Sequence, residues 1–113
     1  MNDRYLYRAK RTDNGEWITW NILTGIPHSV SILEDTVCAC TGLKDKNGKL
    51  IWENDIVKVH DDEEPCLIEW GEDTARWNMT QYGSWVYDFD NYWSYEVEVI
   101  GSVVDNPELL EVG

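Results

Sequence analysis

Long apolar runs and, beyond residue 58, basic side chains are scarce in this sequence. A membrane-spanning helix needs about 20 consecutive apolar residues, and no such stretch occurs among the 113 residues. The first eleven residues carry basic groups on both sides of a very short apolar segment, which does not fit a secretory signal. We therefore expect a cytoplasmic location and no membrane partner.

The shortage of bases is confined to one half of the chain. Residues 1–58 hold eight acids and eight bases, whereas residues 59–113 hold fourteen acids and one base, Arg76. The second half thus accounts for the net charge of −13. Such a field repels phosphate backbones, so direct nucleic-acid binding is not expected. An acidic surface most often keeps a protein soluble, but it can also attract a basic protein or imitate DNA.

Cysteine and histidine are also few. The three cysteines, Cys38, Cys40 and Cys66, are an odd number and suggest reduced thiols. In a strand, Cys38 and Cys40 point to the same face, as small core residues do. With His60 they make four conceivable zinc ligands, but Cys-x-Cys is not the usual zinc-knuckle spacing. We predict core packing, no metal and no cofactor.

Strand and turn signals are abundant. Asn14-Gly15 lies between two β-prone runs, 5–8 and 17–20, and predicts a first hairpin. Residues 24–35 have no clear period and are expected to form a connection. A second Asn-Gly, at 47–48, predicts a chain reversal.

The later strands are predicted from alternation. Residues 56–59 are expected to form a half-buried strand with Val57 and Val59 on one face, and residues 66–70 another strand. Residues 95–99 alternate, which places Tyr95, Val97 and Val99 inward. Gly101 is expected to mark a bulge or bend, and Asn106 to cap a short helix that begins at Pro107. We predict a mainly β, β-rich α+β domain: a small, strongly bent antiparallel barrel or roll.

Aromatic residues are concentrated between residues 77 and 95, where eight of nineteen positions are aromatic. Cross-strand pairs in a small β core account for part of them. The remainder could form a surface for a peptide, a sugar or another subunit. The candidate protein-interaction residues are Trp77, Tyr82, Trp85, Tyr87, Tyr92 and Trp93.

Catalytic signatures are missing from the sequence. The acidic run Asp61-Asp62-Glu63-Glu64 lacks the alternating ligands and turn glycine of a calcium loop, so a solvated hairpin tip is preferred. His28 and His60 occur in unlike contexts, and nothing identifies a partner for either. A carboxylate or metal-dependent hydrolase is the least favoured reading, and we predict that the protein is not an enzyme.

Three segments resemble the YopX family of phage and prophage proteins: Tyr7-Arg8-Ala9, residues 41–57, and the pair 98–101 and 106–110. The resemblance implies one domain over residues 1–113, with an N-terminal hairpin and connection at 1–36 and an SH3-like β-barrel portion at 37–113. It also implies a phage or prophage origin and a cytoplasmic location, but no established activity. The family commonly has Gly where this chain has Asn54, a residue that tolerates a left-handed backbone.

The leading hypothesis for function is a non-catalytic interaction module that binds a host or phage protein through the aromatic segment. A basic N-terminal edge could instead dock on the acidic half of a second copy and build a homo-oligomer. The alternative is an acidic DNA mimic that inhibits a nucleic-acid-binding protein.

Overall fold

In a computed structural model of the chain, residues 3–59, 64–73, 75–81, 84–89 and 96–110 are described. Within them the structure has nine strands: β1 (Leu6–Lys10), β2 (Trp17–Asn21), β3 (Cys38–Lys44), β4 (Leu50–Trp52), β5 (Asp55–Lys58), β6 (Cys66–Gly71), β7 (Arg76–Gln81), β8 (Ser84–Asp88) and β9 (Glu98–Ser102). Short 3₁₀ helices cover Asp3–Tyr5, Glu34–Thr36 and Pro107–Leu110. The prediction of a mainly β chain with a short C-terminal helical turn is confirmed.

The strands form two antiparallel sheets. The first has the order β2-β1-β3-β4, and the second has the order β8-β7-β6-β5-β9. Across the described ranges the two sheets do not close into one barrel. None of the helices in those ranges is long and apolar enough to span a membrane.

The first predicted hairpin is present. β1 and β2 pair in register from Leu6 with Asn21 to Lys10 with Trp17. Gly15 has a φ of 70° and donates its N–H to the carbonyl of Arg11, which closes the turn. Glycine reaches this left-handed region without a steric penalty, which explains why the Asn-Gly pair predicted the turn.

The second Asn-Gly turn is also confirmed, and a buried carboxylate organises it. Oδ1 of Asp45 accepts the backbone N–H groups of Asn47 and Lys49, each at 2.9 Å. Oδ2 of the same side chain accepts the N–H of Val99 at 2.9 Å. Because Val99 belongs to β9, this one side chain joins the turn of the first sheet to the second sheet.

The main core lies on one face of the second sheet. It contains Ile51, Val57, Val59, Cys66, Ile68, Met79, Phe89 and Val97. Cys38 and Cys40 are buried outside this cluster, and all three cysteines are unbridged, as predicted. The prediction that 56–59 is half-buried was wrong, because Ile56 on the opposite face is as fully buried as Val57. Strand β5 lies between β6 and β9 in the sheet, and both of its faces are covered.

The start of β9 also differs from the prediction. The strand begins at Glu98, and Val97 precedes it although its side chain is fully buried. The reason is that the carbonyl of Val97 accepts the N–H of Lys46 from the 45–49 turn. Tyr95 lies outside the described residues. A register shift opposite Ile56 and Val57 leaves Ile100 as the extra residue, which confirms a bulge beside Gly101.

The turn between β4 and β5 has the predicted left-handed residue. Asn54 has a φ of 69°, its N–H donates to the carbonyl of Ile68, and its own carbonyl accepts the N–H of Val103. Asn106 precedes the last 3₁₀ helix, but its Oδ1 accepts the N–H of Ser102 at 3.3 Å. Its side chain therefore ties the helix to the end of β9.

Candidate functional site

The predicted aromatic surface is described only in part. Trp77 in β7 and Tyr87 in β8 are both half-buried and pack against the main core. Trp85 also lies in β8. Tyr82, Tyr92 and Trp93 fall outside the described residues, as do His60 and Asp61 to Glu63. The surface as a whole therefore stays a prediction.

Trp77 has an aromatic partner that the sequence reading did not select. Trp70 in β6 stands directly opposite Trp77 in the register of the sheet. The two rings meet edge to face, with centroids 5.2 Å apart and an interplanar angle of 77°. Trp70 is 46% exposed, although it alternates onto the same face as the buried Cys66 and Ile68. The pair therefore lies at the edge of the core, with Trp77 packed against it and Trp70 partly exposed.

The two tryptophans line a groove between the sheets, here called the Trp70–Trp77 groove. Its volume is about 570 Å³. The first sheet contributes residues from β1 and β3, and Glu53 comes from the turn between β4 and β5. The lining residues are Tyr7, Ala39, Cys40, Thr41, Glu53, Trp70 and Trp77. None of these residues is basic.

The walls of the groove are held in place by internal contacts. The Tyr7 ring stacks on Trp20 at a centroid distance of 6.2 Å. Oε1 of Glu53 accepts the N–H of Ala39 at 3.2 Å. Rings and carboxylates that are already oriented lose less conformational entropy when a partner binds.

The two nucleophile-type side chains in the groove are poorly suited to catalysis. Burial raises the pKa of the Cys40 thiol, even though the N–H of Gly42 donates to its sulfur at 3.4 Å. The thiol is therefore neutral near pH 7, and the thiolate is the reactive form. The Thr41 hydroxyl donates to the carbonyl of Ile51 at 2.7 Å. Neither side chain is activated as a nucleophile in this arrangement.

A second cluster joins the two sheets and was missed by the sequence reading. Arg8 of β1 and Asp55 of β5 form an ion pair, with Nη2 and Oδ1 2.9 Å apart. The guanidinium carbon of Arg8 lies 4.1 Å from the Trp17 ring centroid and 4.8 Å from that of Trp52. We call these four residues the inter-sheet joint. Stacking on tryptophan faces stabilises a guanidinium by cation–π attraction.

Asp55 is the most enclosed ionisable group of the joint. Its side chain is 2% exposed, and its Oδ2 accepts the N–H of Trp52 at 2.8 Å. Burial raises its pKa from 3.8 to about 6, because the loss of hydration outweighs the opposing effects of the Trp52 N–H and of Arg8. Asp55 is separated from Arg8 by 47 positions, so no periodicity could have paired them.

The C-terminal end of β9 closes against the joint. Asp105 accepts the Trp17 indole N–H at 2.9 Å and pairs with the Lys10 ammonium at 2.8 Å. A Cβ at Gly101 would come within 2.6 Å of Oδ1 of Asn106, so the Asn106 and Leu109 side chains would have to shift to admit any other residue there. The segments that carried the family resemblance thus meet around the joint.

The basic N-terminal edge is largely occupied within the chain. Arg8, Lys10 and Arg11 are paired with Asp55, Asp105 and Asp13, respectively. Three of the four bases among the first eleven residues therefore already have acidic partners. In the described ranges, no group of three or more His, Cys, Asp or Glu side chains is placed to hold a metal ion.

Comparison with known proteins assigns the chain to a family. A family model described as YopX protein matches residues 2–111. The chain belongs to the YopX family. The resemblance predicted from the sequence is thereby confirmed over nearly its whole length. No curated protein matches the chain. In this YopX-family structure the segments that carried the resemblance surround the joint, whereas Trp70 and Trp77 lie outside those segments.

Proposed function

We propose that this chain is a phage- or prophage-encoded, non-catalytic protein-interaction module whose Trp70–Trp77 groove binds a basic segment of a partner protein in the bacterial cytoplasm. The observation that carries the proposal is the exposed Trp70, held edge to face against Trp77 beside the Glu53 carboxylate. The finer fold prediction, an SH3-like portion at 37–113, belongs to the same proposal. It is supported by the five-stranded second sheet, in which β9 returns to pair with β5.

The aromatic walls support the protein-binding part. Tryptophan and tyrosine are enriched among the residues that contribute most to protein interfaces, because they remove a large rigid surface from water. Trp70 has nearly half of its surface available for such burial. Its position is fixed by Trp77, and Tyr7 on the opposite wall is fixed by Trp20.

The charge pattern supports a basic partner. Glu53 lies in the groove, and the exposed Glu72 and Asp73 directly follow the end of β6 at Gly71. A Lys or Arg side chain placed in the groove would meet tryptophan rings and a carboxylate together, the same combination that surrounds Arg8 in the joint. The net charge of −13 adds long-range attraction for a basic protein.

The test is capture from a lysate of the host bacterium, with the tagged chain compared with Trp70→Ala and Leu23→Ala. Leu23 is a matched control, because it is a large apolar residue that is 82% exposed and lies outside the groove. We expect a stoichiometric basic protein that is captured by the parent and by Leu23→Ala, is lost with Trp70→Ala, and weakens as salt increases.

Other outcomes have defined meanings. Equal capture by both variants would overturn the groove as the binding surface. A captured nucleic-acid-binding protein that DNA displaces in competition would favour the DNA-mimic alternative. Recovery of the chain alone, with a mass above that of the monomer, would favour self-assembly.

A further inference from the structure

A second pocket lies beside the inter-sheet joint, on the side where β9 and the last helix approach it. Its volume is about 380 Å³, within the range of small-molecule sites. Cations, carboxylates and neutral polar groups all face it. It is lined by Arg8, Trp17, Lys49, Asp55, Val99, Ile100, Gly101, Ser102, Asp105 and Asn106.

The pocket is lined by two cations, Arg8 and Lys49, and two acids, Asp55 and Asp105. Asp55 is paired with Arg8, and Asp105 is paired with Lys10. Within the described ranges, the Lys49 ammonium has no ion pair and no hydrogen bond. Lys49 therefore lines the pocket without a partner at ion-pair distance, although its charge acts at longer range on Asp55.

Arg8 also has unused hydrogen-bonding capacity. Only Nη2 of its guanidinium bonds to Asp55, and Nε is buried with no partner. A guanidinium has five N–H donors, and a buried donor without a partner is costly. A bound group or a water molecule is the ordinary explanation for such an atom.

We propose that this pocket binds the oxyanion group, carboxylate or phosphate, of a small organic molecule. Lys49 supplies an ammonium that has no close ion pair, and Arg8 supplies N–H donors to the same pocket. Val99, Ile100 and the Trp17 ring provide apolar wall for the organic part. A long polyanion is excluded because the acidic field of the whole chain repels it, whereas a single oxyanion responds mainly to charges within a Debye length, about 8 Å.

The site can be tested by NMR titration of the full chain with three probes that share one ring: benzoate, phenyl phosphate and benzyl alcohol. The backbone amides of Gly101 and Ser102 and the Trp17 indole N–H report on the pocket. We expect saturable shifts of these signals with benzoate or phenyl phosphate and none with benzyl alcohol. Comparison of the two anions identifies which oxyanion the pocket prefers.

Two charge-matched variants locate the binding. Lys49→Gln removes the unpaired cation, whereas Lys46→Gln makes the same change in the same turn at a residue that does not line the pocket. We expect about tenfold weaker binding for Lys49→Gln, the size of one charge-assisted hydrogen bond, and no change for Lys46→Gln. Both lysines are exposed, so neither change should affect folding.

Three results would overturn the site: no saturable shift with either anion, equal weakening by both lysine variants, or equal binding of benzyl alcohol. The site does not depend on the groove. Trp70→Ala should abolish partner capture and leave anion binding intact, so failure of one proposal is distinguishable from failure of the other.

Discussion

The inter-sheet joint and the Trp70–Trp77 groove are built from the same residue types, but only the joint contains its own cation. In the joint, Trp17 and Trp52 lie against the Arg8 guanidinium, which pairs with the Asp55 carboxylate. In the groove, two tryptophans and Glu53 line a cavity in which no lining residue is basic. The joint is enclosed, with Asp55 2% exposed, whereas Trp70 in the groove is 46% exposed.

The difference is consistent with a structural role for the joint and with the binding role proposed for the groove. A buried carboxylate is stabilised by a guanidinium that pairs with it and stacks on neighbouring tryptophan rings, and the joint obtains that guanidinium from within the chain. The groove has the acceptor and the rings but no basic residue. In the proposed function, a basic side chain of the partner protein supplies the missing cation.

The largest effect is expected from Arg8→Leu in the joint. The change leaves the Asp55 carboxylate buried without its partner, which typically costs about 3–5 kcal/mol of unfolding free energy. Urea denaturation near pH 7 measures it. Arg11→Leu is the control, because it removes an arginine from the exposed pair with Asp13 and should change stability little. If the two variants are equally stable, the joint does not hold the sheets together.

A pair of tryptophan truncations compares the two regions directly. Trp52 is 7% exposed and Trp70 is 46% exposed. We expect Trp52→Ala to lower the unfolding free energy by about 3–5 kcal/mol. Trp70→Ala should lower it by only about 1–2 kcal/mol, because this truncation removes less buried apolar surface. Urea midpoints measure both values. A larger loss for Trp70→Ala would mean that Trp70 is part of the core and not a binding residue.

A smaller effect is expected from the pH dependence of the joint. Burial raises the pKa of Asp55 from 3.8 to about 6, so the folded protein binds this proton more tightly than the unfolded chain does. The stabilisation is fully present below pH 3.8 and is lost as pH rises through about 6. Its size is at most about 3 kcal/mol.

Asp55→Asn isolates this contribution, because asparagine does not titrate and every other acid is retained. The stability of the parent relative to Asp55→Asn should fall as the pH rises from about 4 to about 7, with both measured by urea denaturation. A constant difference across that range would show that Asp55 has an ordinary pKa in the folded protein.

Local patterns predicted the turns well. Asn14-Gly15 and the second Asn-Gly at 47–48 formed the expected reversals, because the turn chemistry lies in the residues themselves. Asn54 took the left-handed backbone for the same reason. Alternation predicted the burial of Val97 but not where the strand begins. Val97 is buried, yet it precedes β9, and its carbonyl accepts an N–H from the 45–49 turn.

The candidate site was predicted only through Trp77. The density of aromatic residues predicted an interaction surface within residues 77–95, but Trp70 and Tyr7 lie outside that segment. Trp70 follows the inward alternation of β6 and would be assigned to the core by pattern alone. Its exposure depends on how the rest of the chain packs around it, which is not a local property.

The sequence by itself determined the turns, most of the strands, the unbridged and buried cysteines, and the acidic charge of the second half. These properties depend on backbone preferences and composition, which act over a few residues or over the whole chain. Tertiary structure decided that Arg8 reaches Asp55 across 47 positions, and that Trp70 and Tyr7 face one groove. Both results depend on how two sheets pack, and the free energy of that packing comes from contacts between segments that no local pattern links.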